Sequence, residues 1–245
     1  MNDVKEEQAL KKRFEELSRR ADDRGYAVYS RFLGLSEQET LRMTRLYSEV
    51  SLFGGFEGAE RKVARFGSDG SFPIVCLKIQ PVAMKFADKL THRDFLGSLT
   101  GLGLQRELLG DIIIKDNVGY LFCLETAADI IISGLCKVCH TDVKCSVCLQ
   151  PPTEAALPDC RSFTVASLRA DAVVSAVYDL PRSESSRLFE AERVMRNGRV
   201  ISASHQLEDG SIVSVRGVGR FIFVSVERET RKGRLRILAR VHGEK

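Results

Sequence analysis

The sequence predicts an α+β chain: a helical N-terminal segment, a central unit running βαββαβ, and a C-terminal module with two short helices and a β-rich extension. Three observations carry this. Strand-like and helix-like runs alternate between residues 67 and 150. A segment containing Pro151, Pro152 and Pro158 and few large apolar groups then interrupts the pattern. Beyond it, the charge balance changes sign. From Arg161 to Lys245 there are 16 Lys and Arg against 10 Asp and Glu, a net +6, whereas residues 1–160 carry 21 against 23, a net −2.

Residues 4–24 are strong helix formers with Leu10, Phe14 and Leu17 at helical spacing, and Gly25 ends the run. Ser36 with Glu39 has capping-box spacing ahead of Leu41, Met43 and Leu46, which predicts a second helix from Ser36. Gly54, Gly55 and Gly58 mark a loop. In the centre, 72–80 reads as a strand closed by Pro81, and 86–104 as a helix ending among Gly97, Gly101 and Gly103. Asp111–Lys115 and Val118–Leu124 read as strands about Asp116-Asn117, 125–135 as a helix and 142–149 as a strand. That order is the one of a ferredoxin-like or RRM-like sandwich. The expected boundaries are 1–66 for the helical region, 67–150 for the sandwich, 151–161 for the linker and 162–245 for the basic module.

In the basic module, 168–176 predicts a short helix. Pro181 suits the first position of a second helix reaching about Glu192. Asn197-Gly198 between two short apolar runs is a tight-hairpin signal. Strands follow at 211–216, 220–226 and 234–241. In the last of these Arg234, Arg236 and Arg240 alternate with Leu235, Ile237, Ala239 and Val241, so one face is cationic and the other apolar.

Composition bounds function broadly. Hydrophobic residues at 44% and charged ones at 29% suit an ordinary globular protein. No apolar run is long enough to span a bilayer, and the charged N-terminus lacks a secretory leader, so no membrane partner and a cytoplasmic location are expected. A positive bias confined to one module implies a polyanionic partner. If the second helix runs for three turns past Pro181, then Arg182, Ser186, Phe189 and Arg193 share an exposed stripe, with Leu188, Ala191 and Val194 opposite. Guanidiniums suit phosphates and an exposed aromatic suits a base, so the expected partner is RNA. The hairpin adds Arg196 and Arg199, and Arg231 and Lys232 precede the last strand.

Other signals are weaker. Cys136-x2-Cys139-x5-Cys145-x2-Cys148 has the form of two zinc-binding pairs beside His140, but the gap between them is short and strand alternation scatters the thiols. Small buried hydrophobes are the favoured reading and zinc the alternative; no cofactor is expected. His92-Arg93-Asp94 has the look of a kinase catalytic loop, yet Leu99 stands where that loop needs Asn. Gly101-Leu102-Gly103 lacks the third glycine of a dinucleotide loop, since Arg106 occupies that place. His92 and Asp94 are expected to be local capping groups, and the chain is not expected to be an enzyme.

Several segments occur in the order and spacing of an S4 domain: Leu168-Arg169-Ala170-Asp171, Leu180-Pro181-Arg182-Ser183, Val194-Met195-Arg196-Asn197-Gly198 and Leu207-Glu208-Asp209-Gly210-Ser211-Ile212. With Ser214-Val215-Arg216-Gly217-Val218-Gly219-Arg220-Phe221 and Thr230-Arg231-Lys232-Gly233-Arg234, the module resembles the YlmH-like, or photosystem II S4-type, family. Upstream, Phe53-Gly54-Gly55-Phe56, Ala59-Glu60-Arg61, His92-Arg93-Asp94-Phe95-Leu96-Gly97, Gly101-Leu102-Gly103, Arg106-Glu107 and Gly110-Asp111 extend the likeness across most of residues 32–240. The resemblance implies a central RRM-like domain and a C-terminal S4 domain that grips structured rRNA or tRNA. It also implies association with the large ribosomal subunit and a non-catalytic role in rescue of stalled translation, holding peptidyl-tRNA. A monomer is expected. The implied RNA contacts are Arg169, Arg182, Ser183, Ser186, Arg187, Phe189, Arg193, Arg196, Asn197, Arg199, Arg216 and Arg220, with Lys232 and Arg234 secondary. Three positions depart from the S4 pattern: Pro181 stands for Ser, Glu192 for Gly and Ser211 for Asp.

Overall fold

The computed structural model describes residues 2–153 and 158–242. The chain divides into two compact units, 1–156 and 157–245. Among the described residues no helix is long and apolar enough to cross a membrane.

The first unit opens with α1 (Asn2–Arg24), which buries Phe14, Ser18 and Ala21 along one stripe. It stops at Gly25, whose φ of +66° is the left-handed conformation of a helix C-terminus. α2 (Leu35–Arg42) begins earlier than expected. Its cap is Gly34, whose N–H donates to Glu37 Oε2 at 2.6 Å, while Glu39 pairs with Arg42 instead. The N-terminal region is also not purely helical. β1 (Val28–Leu33), β2 (Val50–Phe53) and β3 (Lys62–Phe66) form an antiparallel sheet in the order β1-β3-β2. β3 escaped notice because both of its faces are buried. Ala64 and Phe66 pack with Phe14 of α1, while Val63 packs with Phe122 on the opposite side, so the strand shows no polar alternation.

Next come β4 (Ile74–Pro81), α3 (His92–Gly101), β5 (Leu109–Lys115), β6 (Val118–Leu124), α4 (Glu125–Gly134), β7 (Lys137–Val138) and β8 (Thr141–Val147). The strands order as β5-β6-β4-β8-β7, with every neighbouring pair antiparallel. α3 is shorter than the expected 86–104 because Thr91 caps it. Asp94 Oδ2 accepts from Thr91 N–H at 2.7 Å and from its hydroxyl at 2.6 Å. Phe95 and Leu99 of α3, with Ala127 and Ile131 of α4, bury one face of the sheet over Leu77, Ile79, Leu121 and Val143. Asp116 and Asn117 both have positive φ, as a two-residue hairpin turn requires.

The second unit comprises β9 (Cys160–Val165), α5 (Ala170–Val177), α6 (Arg182–Glu190), β10 (Val194–Arg196), β11 (Arg199–Val200), β12 (Ile212–Val215), β13 (Gly219–Glu229) and β14 (Leu235–His242). The sheet order is β11-β10-β12-β13-β14-β9. β9 begins inside the expected linker and pairs with β14; residues 154–157 of that linker lie outside the described residues. The alternation read for the last strand is present, with Ile237 and Ala239 fully buried beside Phe221 and Phe223.

Candidate nucleic-acid interface

α5, α6 and the Asn197-Gly198 hairpin position most of the residues expected to meet RNA, and the structure sorts them into frame and surface. Phe189 belongs to the frame. It is only 7% exposed and packs with Val173, Val174 and Leu188, so it presents no ring to a base. The expected stripe also fails at its far end. α6 stops at Glu190, and the chain turns through Glu192 at φ +52°. Arg193 therefore leaves the helical face of Arg182. Its guanidinium donates through Nε and Nη2 to the Arg216 carbonyl, and its own carbonyl accepts from Arg216 N–H at 2.9 Å. Gly217 has a φ of +75°, which disfavours a side chain, and a Cβ there would lie 2.6 Å from Arg193 Nη2 and displace it.

Arg196 is the most deeply committed cation, with its side chain 14% exposed. Nε donates to Ser211 Oγ at 3.0 Å, Nη1 sits 3.3 Å from His205 Nε2, and Nη2 meets Glu208. Ser211 supplies a neutral acceptor and Glu208 supplies the charge. Asn197 is buried in the turn, and its Oδ1 accepts from Ile212 N–H at 3.0 Å. Arg169 makes a two-pronged pair with Asp171, both contacts at 3.0 Å, and this pairing holds the Asp171 carboxyl below its usual range.

What faces solvent is a different subset. The buried side of α6 is Ser185, Leu188 and Phe189. Its open side runs from Arg182 through Ser186, Glu190 and Ser183 to Arg187 by helical geometry. Arg182 also lines a cavity of about 250 Å³ with Ser167, Arg169, Asp171 and Ala172. Arg216 is exposed, its backbone held by Arg193. Lys232 and Arg234 are exposed on the β13–β14 turn. Arg199 and Arg220 are half-buried. Among the described residues Arg182, Arg187, Arg216, Lys232 and Arg234 make no ion pair with a carboxylate.

The cysteines do not converge. Cys145 is buried against the α3/α4 core and donates to the Leu135 carbonyl at 3.6 Å. Cys148 packs on the other sheet face with Cys76 and Phe122. Cys136 is exposed, and Cys139 donates to Asp94 Oδ1 at 3.2 Å. Among the described residues no group of three or more His, Cys, Asp or Glu side chains is placed to hold a metal.

The upstream motif residues form a structural knot. Asp111 accepts from the backbone N–H of Glu60 at 2.6 Å and of Arg61 at 3.2 Å. Arg61 reaches the carbonyls of Leu109 and Phe32, and Arg106 reaches Leu109 as well. A Cβ on Gly55 would lie 2.3 Å from the Phe122 ring, so the glycine pair lets this loop press onto the central sheet. Asp94 serves as the cap expected of it. Sequence reasoning missed a further basic group, Lys78, Lys115 and Lys144 around Tyr120, on strands of the central sheet. The signal was available in the alternation Lys78-Ile79-Gln80 and Val143-Lys144-Cys145-Ser146.

Known proteins resemble the chain in both halves. Residues 68–150 match a family model described as "Putative RNA-binding domain in YlmH". The "Ribosome-associated protein quality control protein P2" of Bacillus subtilis (strain 168) is 30% identical over 219 residues, covering 84% of each chain. The solved structure of "Cell division protein ylmH from Streptococcus pneumoniae" is 20% identical with a TM-score of 0.48, covering 61% of this chain and 93% of that one. On the matched domain and the length of the Bacillus relative, the chain belongs to the YlmH family.

Proposed function

We propose that this protein is a non-enzymatic, cytoplasmic RNA-binding factor of the translation apparatus. It acts as a monomer on the large ribosomal subunit and engages peptidyl-tRNA during rescue of stalled ribosomes. The Bacillus relative's name and the RNA-binding family model support the ribosomal setting. The observation that carries the RNA reading is a set of exposed cations on the second unit that make no ion pair among the described residues: Arg182 and Arg187 on α6, Arg216, and Lys232 with Arg234. We read that unit as an S4-type domain and the βαββαβ unit as RRM-like. Arg182, Ser183, Ser186, Arg187, Arg199, Arg216 and Arg220 would contact RNA, with Lys232 and Arg234 secondary. Arg169, Arg193, Arg196 and Asn197 hold that surface in shape.

Neutralising about five phosphates gives a log–log salt slope near −4 to −5 for duplex RNA. Reversing Arg182, Arg187 and Arg216 to Glu should release the folded protein from large subunits in a sucrose gradient. Undiminished co-sedimentation refutes this surface. Unchanged RNA mass after incubation is expected of a binder, and a modified nucleotide would refute the non-enzymatic reading.

A further inference from the structure

One end of the central sheet carries an apolar loop tip. Between β4 and α3 the chain runs Pro81-Val82-Ala83-Met84-Lys85-Phe86-Ala87-Asp88-Lys89-Leu90. Pro81 and Leu90 are buried, Leu90 against the α3/α4 core, while the five residues 82–86 are all exposed. Val82 is 69% exposed, Met84 52% and Phe86 83%, which makes Phe86 the most open aromatic ring among the described residues. Isolated exposed apolar side chains are ordinary, but three large ones within five positions at one tip form a patch.

The tip is braced at its base. Met84–Phe86 form one 3₁₀ turn, with Phe86 N–H donating to the Ala83 carbonyl at 3.1 Å. On the way out, Val82 N–H donates to the Asp142 carbonyl at 2.9 Å. On the way back, Asp88 N–H donates to Thr141 Oγ1 at 3.1 Å and Leu90 N–H to Asn117 Oδ1 at 2.7 Å. Asn117 Nδ2 in turn donates to the Asp88 carbonyl at 2.8 Å. Backbone and side chains of two other hairpins thus fix the ends of the loop and leave Val82, Met84 and Phe86 in solvent. Lys85 Nζ lies 5.8 Å from the Phe86 ring centroid. Among the described residues Lys85 and Lys89 make no ion pair with a carboxylate.

We infer that this tip docks into a protein of the large ribosomal subunit, with Phe86 filling an apolar pocket, Val82 and Met84 lining its mouth, and Lys85 and Lys89 meeting carboxylates on its rim. The inference rests on the ribosomal setting proposed above. Interface cores are enriched in Phe and Met and depleted of Lys, which falls to the polar rim, and the tip has that arrangement. A braced loop also loses little conformational freedom on docking. RNA suits the tip less well: one ring can stack, but Val82 and Met84 offer nothing to polar base edges or phosphates. An anionic bilayer suits it less well too, since Asp88, with Asp116 and Asp142 beside the bracing contacts, would face the headgroups.

The test uses the full chain and purified large ribosomal subunits, with a photoreactive benzophenone amino acid in place of Phe86. Irradiation should give an adduct with a ribosomal protein that survives ribonuclease and that mass spectrometry assigns to an apolar pocket. Phe86→Ser should weaken binding to large subunits roughly 30-fold. Its thermal midpoint should stay unchanged, because the ring fills no part of the core. Lys85→Glu with Lys89→Glu should weaken binding as well. The inference is overturned if Phe86→Ser binds with undiminished affinity, or if the benzophenone links only to rRNA, to a second copy of this chain or to nothing. It is equally overturned if the unsubstituted chain binds phosphatidylglycerol vesicles and Phe86→Ser does not. Failure of the C-terminal surface is read separately, from Arg182→Glu with Arg187→Glu and Arg216→Glu, which leave Phe86 intact. Should the unsubstituted chain not sediment with large subunits, the ribosomal reading fails and this inference with it.

Discussion

Replacing Arg196 by Met separates framework arginines from surface ones. The methionine keeps the apolar stem and removes the fork that reaches Ser211, His205 and Glu208. Glu208 is 72% exposed, so its ion pair is screened and contributes at most about 1 kcal/mol. The bonds to Ser211 and His205 lie inside and are made by a charged donor, which adds about 1–2 kcal/mol once competing solvation is subtracted. A loss of about 2 kcal/mol is expected, because the Ser211 hydroxyl still accepts from Glu208 N–H at 3.1 Å. Hydrogen exchange at the amides of β12 and β13 reads this directly. Protection at Val213, Val215 and Phe221 should fall about 30-fold where exchange follows opening of the unit. Arg182→Met should leave the same amides unchanged and weaken RNA binding instead. Unchanged exchange in Arg196→Met, together with a loss of RNA affinity as large as that of Arg182→Glu, would refute the division into frame and surface.

Three further outcomes follow from burial. Phe189→Leu should keep RNA affinity while Phe189→Ala costs about 3 kcal/mol in urea unfolding, because the ring fills the α5/α6 core; a loss of affinity in the folded Leu variant would restore the stacking role. Gly55→Ala should cost more than about 1 kcal/mol, since φ is +101° and the new methyl would overlap Phe122; an unshifted thermal midpoint would show that the loop yields. Burial, and then the Arg220 charge, push the His242 pKa below its ordinary 6.5, and Nε2 has no partner. A depressed histidine contributes its full stability above the unfolded pKa, so stability should decline as pH drops below 6.5. His242→Gln should flatten that decline, and an identical pH profile in the variant would exclude this histidine.

Periodicity made the central unit legible because one face of each strand meets helices. β4, β6 and β8 alternate, and Asp116-Asn117 announces its turn chemically. It failed at β3, where Val63 and Ala64 are buried on opposite faces and Lys62 and Arg65 fall one on each side, so no polar face stands out. The α2 cap was misplaced for another reason: Gly34 has no side chain to announce itself, and only Glu37 reaching back three residues identifies it. For α6, helical angles alone put Phe189 outside. The helix ends at Glu190, two residues short of the expected end, and buries the side that holds Ser185, Leu188 and Phe189. A buried serine at the centre of that side is what composition could not foretell; its hydroxyl donates to the Asp171 carbonyl at 3.0 Å, so a polar residue can sit against α5.

Charge counting was sound as a sum and silent as a map. The net +6 from Arg161 to Lys245 already includes Asp171 and Glu208, so pairing them with Arg169 and Arg196 removes nothing from the total. It does move the positive potential, because paired charges cancel at distance and unpaired ones remain. The exposed cations without an ion pair therefore lie away from the hairpin base, at Arg182, Arg187, Arg216 and the turn bearing Lys232 and Arg234. The same logic applies in reverse to the first unit. Residues 1–160 sum to −2. Yet strand alternation places Lys78, Lys115 and Lys144 on one sheet face, with Asp142 on that face and Asp116 in the adjoining turn. A near-neutral unit can thus carry a local cationic group that its net charge does not reveal.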